Sequence, residues 1–155
     1  MNAKLVREYL DYDPNTGIWR WKKAAYKTVK IGTITGASGV IGFRGKNYRT
    51  SRLAWLYMKG RWPRSLIDHK DTNPKNCRWE NLRPATYSQN RANSPIKYGS
   101  KTKFKGVTRV DNKFTAKIGC RGVYYNLGVF NTAEAAHVAY CEAAKKHFGE
   151  FARFS

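Results

Sequence analysis

The sequence has few acidic residues, few cysteines and no long apolar run, and each shortage narrows the class of protein. Ten Asp and Glu stand against thirty Lys and Arg, which gives a formal net charge of +20 at pH 7. Self-repulsion at this charge opposes compaction, so the excess indicates a polyanionic partner rather than a merely solubilising surface. With 41% hydrophobic and 14% aromatic residues, the chain is too rich in apolar side chains to be disordered.

The cysteines are too sparse and too far apart to form a disulfide framework or a zinc site. The three are Cys77, Cys120 and Cys141, and none lies in a CxxC or Cys/His zinc spacing. The first ten residues, MNAKLVREYL, lack the apolar core of a signal peptide, and no apolar run approaches the roughly 18 residues of a membrane span. We therefore expect a cytoplasmic protein with no membrane partner.

The charges are unevenly distributed along the chain. Residues 14–67 contain twelve basic residues and no acid, and residues 81–110 contain seven basic residues and again no acid. Three carboxylates, those of Asp68, Asp71 and Glu80, lie together between these basic stretches. Acidic side chains within a polyanion-binding surface repel phosphate unless a cation lies between the carboxylates and the phosphate. The distribution therefore predicts a metal site near Asp68.

Local patterns predict helices mixed with short strands, an α+β fold. The apolar spacing favours a helix in residues 2–12, followed by a Pro-Asn-Gly turn in residues 13–17. The polar residues 88–102 are typical of a basic linker. The remaining predicted elements are strands at 18–21, 39–43, 48–51, 106–110, 113–119 and 124–130, and helices at 52–59 and 133–147.

The dipeptide Asp68-His69 has the chemistry that phosphodiester hydrolysis requires. A histidine with an ordinary pKa near ~6.5 can take a proton from water at neutral pH. An aspartate is a hard oxygen donor for Mg²⁺, which neutralises charge on the phosphate in the transition state. Asn81 begins a short helical turn, where its amide oxygen is a candidate second ligand. Asp71 and Asn73 are rival ligands at this position.

The chain resembles the HNH endonuclease family in the segment IDH, in Asn76 and Asn81, and in the closing NLR. The upstream segments LDYDPNTGIWRW and TSRLAWLYMKGRWP extend the likeness over residues 1–93. The resemblance implies a ββα-metal fold, with His69 as the general base and one divalent ion, Mg²⁺ before Mn²⁺, held by Asp68 and Asn81. It also implies that Asn76 orients the loop and the imidazole. The last motif position is Asn rather than the His that would be a stronger ligand.

The C-terminal residues 103–152 resemble an AP2/ERF-like DNA-binding domain through the segments KGV, KFTAKI, LGVF and AEAA, and the closing HFGEF. The resemblance implies a three-stranded antiparallel sheet in the major groove with a helix packed behind it, a geometry that the groove's width permits. Strand alternation assigns Val107, Phe114, Ala116, Ile118, Tyr125 and Leu127 to the core side. It assigns Lys105, Thr108, Lys117, Tyr124 and Asn126 to the groove side, with Arg109 and Arg121 near turns. Since few Arg side chains face the groove, we expect modest sequence discrimination.

We therefore expect an HNH nuclease domain at residues 1–93, a linker at 94–102 and an AP2-like DNA-binding domain at 103–155. The first domain supplies further candidate phosphate contacts, Arg49, Arg52, Arg78, Arg83 and Arg91. The predicted function is a metal-dependent DNA endonuclease of the homing or phage mobile type. It acts on double-stranded DNA as a monomer or weak dimer, with no small-molecule cofactor. The alternative is a non-catalytic DNA-binding regulator that keeps a decayed HNH fold.

Overall fold

In the computed structural model, which describes residues 1–96 and 98–155, the contacts divide the chain into residues 1–84 and residues 85–155. The predicted linker, residues 94–102, includes Lys97, which lies outside the described residues. The predicted nuclease domain, residues 1–93, runs past the division after Pro84. Its limits stay a prediction, because the compactness of a unit does not define where a functional domain ends.

Helices and small antiparallel sheets make up both units, which agrees with the predicted α+β class. The first unit contains α1 (Ala3–Tyr9), β1 (Leu10–Tyr12), β2 (Trp19–Trp21), β3 (Ile34–Thr35), β4 (Val40–Phe43), β5 (Lys46–Arg49), α2 (Thr50–Lys59), β6 (Leu66–His69), a 3₁₀ turn (Trp79–Asn81) and most of β7 (Leu82–Ala85). The second contains α3 (Tyr87–Asn93), β8 (Val107–Val110), β9 (Lys113–Cys120), β10 (Val123–Phe130), α4 (Ala133–Phe148) and a 3₁₀ turn (Gly149–Phe151).

The first helix is shorter than its apolar spacing predicts. Helix α1 ends at Tyr9, because the residues from Leu10 to Tyr12 pair with β2 in antiparallel register. Val6 in the helix and Leu10 in the strand are both fully buried in the same core. The apolar spacing therefore indicated burial correctly, but strand pairing ended the helix one turn early.

The predicted turn at residues 13–17 is present between β1 and β2. The Asp13 carboxylate accepts hydrogen bonds from the Asn15 N–H (2.9 Å) and the Thr16 hydroxyl (2.7 Å). Gly17 closes the turn with a φ of +75°, and its Cα lies against the backbone of Cys77. A Cβ on Gly17 would come within 2.5 Å of the Cys77 carbonyl carbon. The turn therefore packs directly on the chain segment that carries the candidate site.

Strands β4 and β5, close to the strands predicted at residues 39–43 and 48–51, pair as an antiparallel hairpin that leads into α2. The loop between them is Arg44-Gly45, with φ values of +48° and +74°, as in a type I′ turn. Helix α2 then buries Leu53 and Leu56 against the aromatic core, whereas Met58 is 38% exposed. The larger buried side chains of this core are Leu10, Tyr12, Trp19, Trp21, Ile41 and Phe43.

The second unit has the predicted three strands and helix. The sheet order is β10-β9-β8, with antiparallel pairing throughout and a bulge in β10 between Asn126 and Gly128. Helix α4 packs Ala136, Tyr140 and Ala144 on one face of the sheet, and the opposite face stays exposed. The likeness of this unit to an AP2/ERF-like domain stays a prediction.

Helix α3 replaces part of the segment that the polar composition predicted as linker. Thr86 accepts a hydrogen bond from the Gln89 N–H (3.2 Å), and the Gln89 side chain accepts one from the Thr86 N–H (2.8 Å). This capping box is visible in the sequence as Thr-x-x-Gln and outweighs the absence of apolar periodicity. The prediction of a basic linker from residue 88 was therefore wrong over residues 88–93, which are helical.

Because Gly17 lies against the Cys77 backbone, a side chain at position 17 should destabilise the folded protein strongly. Gly17→Ala should lower the free energy of unfolding by about 3 kcal/mol, because the methyl group meets backbone atoms that cannot rotate away. Gly45→Ala is the matched control, because its φ is equally positive and nothing lies within 4 Å of the added Cβ. That variant should lose about 1 kcal/mol. Equal losses in urea unfolding would show that Gly17 matters only for its φ.

Candidate active site

The candidate site is built on two paired strands and the loop between them. Strand β6 ends at His69, the loop runs from Lys70 to Arg78, and the 3₁₀ turn then leads into β7, which pairs with β6. The backbone N–H of Lys70 donates to the Asn81 carbonyl (2.9 Å), so the loop closes on itself at its base. All four residues predicted for catalysis and metal binding therefore lie on one short, closed segment of the first unit.

Asp71 is the centre of the hydrogen-bond network that shapes this loop. Its carboxylate accepts from the Asn73 N–H (2.9 Å), from the Asn76 amide (2.6 Å) and from the Asn81 amide (2.9 Å). Burial opposes its ionisation, but these hydrogen bonds together outweigh that effect and lower the pKa of Asp71. The carboxylate is therefore held as an anion by the loop itself.

The Asn81 side chain ties both ends of the loop together. Its amide oxygen accepts from the Asp71 N–H (3.0 Å), and its amide nitrogen also donates to the Asn76 carbonyl (2.8 Å). The residue is 8% exposed. These contacts are those of a loop-orienting residue, the role predicted for Asn76, whose own side chain bonds to Asp71. The role of Asn81 as a metal ligand stays a prediction.

Asp68 forms a buried ion pair that the sequence patterns do not indicate. Its Oδ2 lies 2.9 Å from Arg83 Nε, and the side chains are 5% and 9% exposed, respectively. Arg83 was predicted to contact phosphate, but its observed partner is the carboxylate of Asp68 on the neighbouring strand. The pair holds Asp68 in a defined orientation at the end of β6, one residue before His69.

His69 is half-buried beside charged and polar neighbours. Burial lowers the pKa of the imidazole, the nearby carboxylates of Asp71 and Asp68 partly oppose this, and the guanidinium of Arg49 reinforces it. The Nε2 atom lies 3.9 Å from Cys77 Sγ. A lowered pKa favours the neutral imidazole at pH 7, the form that accepts a proton.

Cys77 is buried and is contacted from several sides. Its thiol lies 3.1 Å from the Thr50 hydroxyl, and burial raises the pKa of the thiol. The Tyr12 hydroxyl donates to its carbonyl oxygen (2.6 Å), and the Trp79 N–H donates to the Pro14 carbonyl (2.9 Å). The hairpin of β1 and β2 therefore supports the segment that contacts His69, a long-range contact that no local pattern reveals.

The predicted DNA-contacting residues fall into two groups. Arg52 donates to the carbonyls of Ser65 (3.0 Å) and Pro63 (3.2 Å). Lys105 donates to the carbonyls of Ala92 and Ser94 (2.6 Å to Ser94) at the end of α3. Burial, and then repulsion from the charges of Arg153 and Arg91, lower the pKa of Lys105 to about 8. Lys105 therefore caps a helix and does not lie on a strand. Apart from Arg83, which is buried beside Asp68, the others are exposed: Arg49, Arg78, Arg91, Thr108, Arg109, Lys117, Arg121, Tyr124 and Asn126.

No group of three or more His, Cys, Asp or Glu with metal-binding geometry occurs within residues 1–96 and 98–155. The oxygen donors around His69 nevertheless suit a hard cation, because Mg²⁺ is commonly held by one or two carboxylates and completes its shell with water and substrate phosphate. Within the same described residues, no helix is long and apolar enough to cross a membrane.

The model of the HNH endonuclease family matches residues 48–92, less than half of the chain. The matched range includes β6, the loop and β7, and it thus contains the whole candidate site. No curated protein matches the chain. The match suggests nuclease activity on DNA with a divalent metal, as HNH endonucleases generally have.

Because the ion pair is buried, replacing Arg83 should destabilise the protein more than replacing an exposed arginine. Arg83→Met should lower the free energy of unfolding by about 3–5 kcal/mol, because it leaves the Asp68 carboxylate buried without its partner. Arg78→Met is the control, since Arg78 is exposed, and it should change stability by less than about 0.5 kcal/mol. Denaturant unfolding of both variants measures the difference. Similar small changes would mean that the ion pair does not hold Asp68 in place.

Proposed function

We propose that the protein is a divalent-metal-dependent DNA endonuclease that hydrolyses phosphodiester bonds, with His69 as the general base. The observation that carries the proposal is the family match over a segment where an imidazole with a lowered pKa lies beside oriented carboxylates. The geometry supports a reaction in which water loses a proton to His69 while its oxygen attacks phosphorus. The bond from phosphorus to the 3′ oxygen then breaks, and the leaving oxygen takes a proton from solvent.

Asp68 is the proposed first ligand of the ion and Asn81 the proposed second. When bound there, the ion would neutralise negative charge on the scissile phosphate and on the leaving 3′ oxygen. The ion pair with Arg83 supports the role of Asp68, because it orients the carboxylate beside the base. The oxygen of Asn81 already accepts one hydrogen bond, and an amide oxygen has a second lone pair that could face a cation.

The second unit is proposed to grip duplex DNA through the exposed face of its sheet. Thr108, Lys117, Tyr124 and Asn126 lie exposed on the predicted groove side, while α4 covers the other face. With one lysine and no arginine among these four, this face favours backbone affinity over base reading. A nuclease with such a second unit fits the homing or phage mobile type.

A non-catalytic regulator is the competing function, and His69 separates the two. His69→Ala should lower the rate of Mg²⁺-dependent nicking of supercoiled plasmid by at least about 100-fold, while duplex affinity stays unchanged. His147→Ala, on the exposed surface of α4, is the matched control and should nick like the parent. Loss of nicking on chelation with EDTA is also expected. Binding without nicking by the parent at any divalent ion would favour the regulator.

The second ligand can be tested apart from the folding of the loop. If Asn81 binds the ion, Asn81→Ala should raise the Mg²⁺ concentration for half-maximal nicking by about tenfold or more. Asn76→Ala is the loop control, since it also removes a hydrogen bond to Asp71 but should leave the Mg²⁺ requirement unchanged. If Asn81→Ala lowers only the melting temperature and not the Mg²⁺ requirement, the residue orients the loop and is not a ligand.

A further inference from the structure

The loop between β2 and β3, residues 22–33, exposes apolar side chains among lysines. Ile31 is 67% exposed and Tyr26 is 43% exposed, and Ile34, the first residue of β3, is 56% exposed. The same loop carries four lysines, Lys22, Lys23, Lys27 and Lys30. A single exposed isoleucine is ordinary, but three large apolar side chains beside several cations indicate a surface that meets a partner.

The base of this loop is tied to the first sheet by backbone hydrogen bonds. The Trp21 N–H donates to the Thr33 carbonyl (3.1 Å), and the Gly32 N–H donates to the Trp21 carbonyl (2.7 Å). The Arg20 side chain also donates to the Gly32 carbonyl (3.1 Å). The loop is therefore held at both ends before binding, which lowers the entropy lost when it meets a partner.

The cations at the tip of the loop differ from those at its base. Lys23 pairs with Glu8 (2.8 Å), and Arg20 lies opposite Asp11 in the sheet register. Within residues 1–96 and 98–155, neither Lys27 nor Lys30 takes part in an ion pair. The acids near the base are thus next to cations of their own, and the tip presents positive charge together with apolar surface.

We propose that this loop is a further DNA-contact surface, separate from the residues already assigned to DNA. Lys27 and Lys30 neutralise phosphates, while Ile31 and Tyr26 pack against sugars and base edges in a groove, as apolar side chains do in many minor-groove complexes. The inference rests on the proposed function in taking duplex DNA as the partner. A second copy of the chain suits the surface poorly, since both copies would bring the same excess of positive charge.

The two kinds of contact should be separable by their dependence on salt. Replacing both lysines (Lys27→Gln and Lys30→Gln) should reduce the slope of log affinity against log salt concentration by about 2, because two fewer counterions are released. Ile31→Ser should weaken binding by roughly tenfold at every salt concentration with no change of slope. The measurement is a fluorescence-anisotropy titration of the full chain with a labelled duplex in EDTA, so that no cleavage occurs.

Two matched variants serve as controls. Val138→Ser changes a valine of α4 with a similar exposure, 57%, and Lys4→Gln changes a lysine of α1 that acts on Glu8. Both should bind DNA like the parent. If the loop variants also bind like the parent, the proposal is overturned, and so it is if Ile31→Ser only changes the oligomeric state in analytical ultracentrifugation. A parent chain that does not bind duplex DNA would instead overturn the proposed function.

Discussion

The buried ion pair between Asp68 and Arg83 is the constraint on which the candidate site depends. An ionised carboxylate with 5% of its side chain exposed is costly unless a cation compensates it, and the guanidinium on the paired strand does so. The same contact sets the direction of the Asp68 side chain.

Next to this pair, contacts from the loop and from the N-terminal hairpin fix the arrangement of the residues around His69. Asp71 and Asn81 close the loop through two hydrogen bonds: the Asp71 N–H donates to the Asn81 amide oxygen, and the Asn81 amide nitrogen donates to the Asp71 carboxylate. On the other side, the Tyr12 hydroxyl bonds to the Cys77 carbonyl, and the turn at Gly17 packs on the same residue. A second layer of contacts thus orients the polar side chains of the site's loop. Such supporting contacts are what keep a reactive group in one geometry.

Elements specified by local signals could be predicted from the sequence. The turn at residues 13–17, the hairpin of β4 and β5, the three C-terminal strands and α4 all follow from turn residues, alternation or capping within a few positions. The candidate site could be located as well, because its acids stand together in a strongly basic chain and its motif lies within the range that the HNH family model matches. Helix α3 was also specified locally, by its capping box, but its polar composition concealed it.

The sequence by itself therefore determined the fold class, the place of the candidate site and the positive charge that suits a polyanion. Only the tertiary structure decided the partners of individual side chains. Arg83 pairs with Asp68, and Lys105 caps α3. Leu10 lies in a strand paired with β2 and not in the first helix. Each of these contacts joins residues that lie beyond the reach of a single helical turn or capping motif. Their formation depends on how strands pair and which groups become buried together, which no local spacing encodes.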